Sequence, residues 1–294
     1  MDRDERLFVD GALTRARQLI RQKIWEGVDE ARLTAWFAQF EARDSQLLGA
    51  CLLDNFIYRS RAQVEAILRA AMCSPELLGA DGTSDLAFIH ALRGYKDPGI
   101  RLAPVIHLDQ PPTKSGTYVL RRLVKSLQLR DKWAVWPQQL ATIVGLSTVI
   151  LVDDFCGSGQ QFCDFVELTK FDELMRAKPD CRIFYLTVAA HADGVSKIRE
   201  TFPRICVIAG EVLSNENHFF DGTVLTHIMV DGLIDRLRAD HKKICDEVGL
   251  GGKKVGAMGF CDQGLTYAFD HGTPNNTLPI FWKQRDQWQP LVDR

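Results

Sequence analysis

The chain has 294 residues, with 36 Lys and Arg against 38 Asp and Glu, a net charge of −2. A hydrophobic share of 46% and a charged share of 25% exclude a disordered, collagen-like or fibrous chain, and the length gives one large domain or two small ones. The near-neutral balance argues against a dedicated nucleic-acid coat, which needs a Lys/Arg surplus to neutralise phosphates. No apolar run reaches the ~18 residues of a membrane span. The charged start Asp2-Arg3-Asp4-Glu5-Arg6 is followed by no apolar signal segment. Eight dispersed cysteines without a Cys-x-x-Cys pair read as reduced thiols of a cytoplasmic protein rather than zinc ligands.

Residues 1–80 are predicted to be an all-helical N-terminal region. Leu33, Trp36, Phe37 and Phe40 recur at i, i+3, i+4, i+7, one face of a helix. Leu47, Leu48, Cys51, Leu52 and Phe56 mark a second helix, and Val64, Ile67, Leu68 and Met72 a third. Residues 81–294 change pattern. Short apolar runs at 104–108, 149–152, 183–188 and 205–208 predict strands, alternating with helices near 118–127, 162–168 and 195–202. That alternation implies an α/β fold with a doubly wound, mostly parallel sheet, which binds ligands at the carboxyl ends of its strands. A long helix over 223–248 is stopped by Gly249-Leu250-Gly251-Gly252. A strand over 265–269 runs into a Pro- and Asn-rich loop.

The stretch Val149-Ile150-Leu151-Val152-Asp153-Asp154-Phe155-Cys156-Gly157-Ser158-Gly159-Gln160 carries the chemistry. A buried strand ends in two carboxylates, a glycine-bearing loop follows, and a helix begins. Backbone N–H groups at such a helix start form an anion site. Gly157 and Gly159 let the main chain approach an oxygen-rich group, and Ser158 adds a hydroxyl. Asp153 and Asp154 suit vicinal ribose hydroxyls or a hydrated Mg²⁺. Acids beside a phosphate cradle fit a phosphorylated ribose; helix capping alone would need fewer of these residues. Cys156 is expected to have a lowered pKa beside the helix start.

The stretch resembles the phosphoribosyl-diphosphate (PRPP) motif of type I phosphoribosyltransferases: four apolar residues, two acids, three variable residues, Ser or Thr, then Gly. The resemblance implies that Asp153 and Asp154 hold the ribose hydroxyls and that Gly157, Ser158, Gly159 and Gln160 hold the 5′-phosphate; Cys156 and Gln161 flank that loop as further binding candidates, and the two acids are also the candidate metal ligands. Gln161 stands where the family usually has Thr. Asp153 to Gly159 also resembles motif I of S-adenosylmethionine-dependent methyltransferases. The following strand, however, ends in Val188-Ala189-Ala190-His191 without an acid for the cofactor's ribose, and Gln110-Pro111-Pro112-Thr113 lacks the aromatic residue that stacks a target base. A methyltransferase and a non-catalytic nucleotide-binding module stay as alternatives.

A second loop, Asp109-Gln110-Pro111-Pro112-Thr113-Lys114-Ser115-Gly116, follows an earlier strand, in the order in which type I phosphoribosyltransferases place their pyrophosphate loop. Lys114 would be the point charge for the diphosphate, and Ser115 and Gly116 amide donors. The family's long mobile loop has only 130–147 to occupy here. In the tail, His271 is a candidate general acid–base, and Asn275 and Asn276 are amides able to read a base edge or a phosphate. The tail and the helical N-terminal region together resemble phosphoribosyltransferase-like proteins of prokaryotic conflict systems, some encoded beside retron reverse transcriptases. That resemblance implies an anti-phage defence component. Its ligand would be a phosphoribosyl small molecule such as PRPP with Mg²⁺, and its partner a defence-system protein or a reverse transcriptase–nucleic acid complex, with no membrane.

Overall fold

An apolar run buried on both faces makes an inner strand of a parallel sheet, and 149–152 does so. The computed structural model describes residues 3–42, 45–78, 85–107, 115–221, 225 and 232–294. In chain order the elements begin with α1 (Arg3–Arg21), α2 (Glu30–Glu41), α3 (Gln46–Asp54), β1 (Ile57–Arg59), α4 (Arg61–Met72), α5 (Pro75–Leu78), α6 (Asp85–Arg93), β2 (Ile100–Pro104) and α7 (Ser115–Ser126). They continue with β3 (Thr148–Cys156), α8 (Gln160–Leu168), α9 (Phe171–Ala177), β4 (Arg182–His191), α10 (Ala192–Thr201), β5 (Ile205–Leu213), α11 (Leu233–Val248), β6 (Tyr267–Phe269) and α12 (Pro279–Trp282). Two compact units form: 1–62 with 214–294, and 63–213. This division differs from the expected boundary near residue 80, because the tail packs with the N-terminal helices.

The second unit holds a parallel sheet in the order β2-β3-β4-β5. Pro104 pairs with Val152, Val152 with Leu186, and Leu186 with Ile208. A single bridge adds Ala134 to the outer edge of β2, where Val135 N–H donates to Leu102 O at 2.9 Å. The chain therefore leaves β2 through α7, returns at β2's outer edge, and crosses back to β3 through a 3₁₀ turn, Pro137–Thr142. Winding direction reverses between β2 and β3, which makes the sheet doubly wound.

Alternating side chains cover both faces. Ala103, Leu151, Tyr185 and Val207 share one core with Leu140 of the turn, Phe162 and Phe165 of α8, Leu174 of α9, and Val195 and Ile198 of α10. On the opposite face, Ile67 of α4 sits where a side chain on Gly210 would stand, and Arg122 of α7 pairs with Glu65 of α4. The crevice at the reversal, outside the carboxyl ends of β2 and β3, is where such sheets take ligands.

The first unit packs α1–α3 with the tail. The Trp36 ring stacks on Phe281 (5.7 Å), Phe281 on Phe56 (4.7 Å), and Phe40 meets Trp288 edge-on (5.4 Å). The indoles of Trp36 and Trp288 both donate to Ile280 O, at 2.9 and 3.0 Å. Arg32 clasps the Asp293 carboxylate through both terminal nitrogens, at 3.0 and 2.6 Å. β1 and β6 pair in parallel from Ile57↔Tyr267 to Arg59↔Phe269, so the region expected to be all helical contains one strand. Three residues are too few for a visible alternation, and the partner strand is remote in sequence. The start of the helix expected over 223–248 lies partly outside the described residues. Among the described residues, no helix is long and apolar enough to cross a membrane.

Candidate functional site

β3 carries the acid pair to its carboxyl end, and the two acids differ there. Strand alternation places Asp153 on the face of Val149 and Leu151, toward α8. Asp153 is 2% exposed. Its Oδ2 accepts from the Tyr185 hydroxyl at 3.2 Å and from Gln161 Nε2 at 3.4 Å, and its Oδ1 accepts from Asp154 N–H at 3.0 Å. Burial, and next the charge of Asp154, push the Asp153 carboxyl well above the usual carboxylate range. Asp154 is half-buried, and its Oδ1 accepts from Phe155 N–H at 2.8 Å.

The turn into α8 is fixed by close packing. Gly159, the N-cap of α8, has φ +75°, a conformation that favours glycine. A Cβ on Gly194, in the first turn of α10, would lie 2.3 Å from Gly157 O, 2.9 Å from Cys156 Sγ and 3.0 Å from Gly159 N. The loop thus lies directly on α10. Ser158 Oγ accepts from Gln160 N–H at 3.4 Å, while Ser158 and Gly157 stay half-buried. The Gln160 side chain is tied down, donating to Asp164 Oδ1 and accepting from Lys197 Nζ, both at 2.6 Å. Cys156 departs from expectation: burial pushes its thiol up to about 12, outweighing any lowering by the helix start.

At the neighbouring strand end, Ser115 opens α7 and is half-buried, while Gly116 is buried. A Cβ on Gly116 would stand 3.6 Å from Val105 N, Val105 O and Val152 O. The start of α7 and the end of β3 are therefore neighbours across the sheet reversal. Lys114 lies outside the described residues.

His271, Asn275 and Asn276 belong to the first unit. His271 and Asp270 follow the carboxyl end of β6; their side chains are 8% and 6% exposed, with His271 Nδ1 3.1 Å from Asp270 Oδ1. The imidazole stacks on Phe269 at 5.0 Å, and Arg61 Nε lies 3.7 Å from Asp270 Oδ2. Asn276 is buried, and its amide donates to Gln263 Oε1 at 2.8 Å and to Phe260 O at 3.2 Å. Asn275 O accepts from Phe260 N–H at 2.7 Å. The Asn276 amide is thus committed to holding its own loop.

Sequence reasoning alone does not single out Tyr185, which lies inside the predicted strand over 183–188. A tyrosine in a run buried on both faces must find a hydrogen-bond partner, and that is the available signal. Nor does it single out His191, which ends β4 and caps α10, its Nδ1 accepting from Asp193 N–H at 3.3 Å.

Among the described residues, no group of three or more His, Cys, Asp or Glu is placed to hold a metal. Mg²⁺ does not require one, because it binds through one or two carboxylates when substrate phosphates and water supply the other oxygens. Asp154, half-buried, fits that role; Asp153, 2% exposed and with both oxygens already accepting hydrogen bonds, fits it poorly.

A doubly wound sheet with an acid pair and a glycine-fixed turn beside its reversal is a phosphoribosyltransferase-like architecture. The chain belongs to the PRTase-CE family, which matches residues 33–294. No curated protein matches it. Among solved structures, it is similar to the AQ2163 protein of Aquifex aeolicus, with 10% identity and TM-score 0.32, over 63% of this chain and 83% of that one. It is also similar to an orotate phosphoribosyltransferase from Aeropyrum pernix, with 13% identity and TM-score 0.28, over 55% and 75% of the two chains.

Proposed function

We propose that the protein binds PRPP or a related phosphoribosyl nucleotide at the β3–α8 turn. The observation that carries this is the pressed contact of Gly157 and Gly159 on Gly194, which holds a main-chain loop rigidly at a helix start. Such a loop favours a phosphate through backbone donors and the helix dipole. Asp154 is the acid for the ribose hydroxyls and for Mg²⁺ brought in by the diphosphate. Asp153, held by the Tyr185 hydroxyl, accepts from the Asp154 N–H and so braces the backbone that carries Asp154. Mg²⁺ would supply charge neutralisation for a departing diphosphate. Ser115 and Gly116, at the start of α7 beside the end of β3, would offer amides to that diphosphate. A role in a bacterial defence system, with a defence protein or reverse transcriptase–nucleic acid partner, rests on the resemblance of the tail and N-terminal region.

A thermal-shift panel tests the reading. PRPP with Mg²⁺ should stabilise the protein, and S-adenosylmethionine should not; a ligand at about 100 times its Kd contributes about 2.7 kcal/mol. Stabilisation by S-adenosylmethionine alone would move the site to the methyltransferase class. Mass spectrometry of the PRPP incubation separates turnover, which releases diphosphate, from binding alone.

A further inference from the structure

A cleft of about 240 Å³ runs along α7. Its two walls are the α7 face carrying Leu120, Arg121 and Val124, and the segment that carries Asp131, Trp136 and Gln139. Pro104 also lines it. Leu120 and Val124 are buried and give it an apolar floor, whereas Arg121, Asp131 and Gln139 are exposed at its margin.

Trp136 is 46% exposed. A solitary exposed apolar side chain needs no explanation, but this one lines a cavity and stands on a fixed backbone. Two residues before it, Ala134 is bridged to Leu102 of β2; its own N–H donates to Gln139 Oε1 at 3.0 Å, and Pro137 follows. The backbone that carries the ring is therefore anchored at the cleft's edge. With its carbonyl oxygen engaged, Gln139 has its NH₂ group left to donate, while the Asp131 carboxylate accepts. A π face, one donor and one acceptor around a shallow apolar floor match the faces and edges of a flat nitrogen heterocycle. The volume is below the roughly 300–1,000 Å³ of drug-sized clefts, which limits the occupant to one ring system.

We propose that this cleft binds a planar nitrogen heterocycle of nucleobase size, stacked on Trp136 with its edge read by Asp131 and Gln139. None of these residues belongs to the 153–161 loop, and the Asp154 variant below separates this site from the phosphoribosyl site.

The other five tryptophans, at 25, 36, 133, 282 and 288, are buried, so the quenchable, solvent-exposed emission belongs to Trp136. The full chain is titrated with free adenine, guanine, cytosine and uracil, following tryptophan emission and ligand-observed saturation-transfer NMR. At least one base should bind saturably and quench the exposed emission. Trp136→Ala and Asp131→Ala should each weaken that binding about tenfold or more while keeping the wild-type melting temperature, since one lost stacking or charge-assisted contact has that size. Asp154→Asn should leave it unchanged. Absence of binding for all four bases at millimolar concentration would overturn the proposal. So would binding that survives both cleft substitutions, or binding that Asp154→Asn abolishes, which would put the base in the β3–α8 turn.

Discussion

Gly194→Ala adds one methyl group where α10 presses on the candidate phosphate loop. The new Cβ would lie 2.3 Å from Gly157 O. Contacts under 3.0 Å essentially do not occur for real Cβ atoms, so the loop or the helix must retreat by at least 0.7 Å. The nearest obstructing atom, Gly157 O, is backbone and cannot swing away as a long side chain would, and Cys156 Sγ, at 2.9 Å, is buried beside it. Overpacking of this kind costs about 1–3 kcal/mol. Replacing a helical glycine with alanine offsets about 0.5–1 kcal/mol of that. The net loss of about 1–2 kcal/mol corresponds to a melting temperature lower by about 2–6 °C in a chain of this size. Displacing positioned backbone donors by most of an ångström should also weaken PRPP binding, on the order of tenfold to a hundredfold. Differential scanning calorimetry and isothermal titration read the two effects. Gly145→Ala is the control: its φ is +71° with nothing within 4 Å of the added Cβ, so it should cost stability through the left-handed backbone alone and leave PRPP affinity intact. Wild-type melting and wild-type affinity in Gly194→Ala would refute the packed-loop reasoning.

Three further outcomes follow from burial and charge. Asp153 keeps its proton to higher pH when folded than the ordinary ~3.9 of an unfolded aspartate. The unfolded chain therefore gains stability relative to the folded one as pH rises through that window. Asp153→Asn removes this loss, so the stability gap between variant and wild type should widen in the variant's favour with rising pH; a denaturant series across pH showing a constant gap would contradict it. Cys156 is buried with its thiol near 12, whereas Cys261 is exposed. Brief alkylation of the native protein should label Cys261 and spare Cys156, read by peptide mass spectrometry. Trp288→Ala removes a fully buried ring from the Phe40 contact and a donor from Ile280 O, so it should cost about 3–5 kcal/mol, measured by chemical denaturation.

Most of the parallel sheet was legible because its strands are apolar on both faces and end in turn residues. The exact limits were less so. The strand expected over 104–108 occupies Ile100–Pro104, since Val105 and Ile106 are buried beyond it and hydropathy alone does not separate the two stretches. The turn at 153–161 was visible as a motif, but the division of labour in the acid pair was not drawn from it. Period-two alternation already aligned Asp153 with Val149 and Leu151, the core face, and separated it from Asp154. The union of the tail with α1–α3 depends on long-range contacts such as Trp36–Phe281, which leave no local trace. Asn276 read as a polar loop residue open to ligand; its burial against Gln263 comes from the fold of that loop.

Isothermal titration of PRPP with Mg²⁺ into the wild-type protein and Asp154→Asn tests the phosphoribosyl site most directly. The account predicts saturable binding to the wild type and its loss, with unchanged melting, in the variant. No heat of binding to the wild type at millimolar PRPP, or equal affinity in the two proteins, would contradict it.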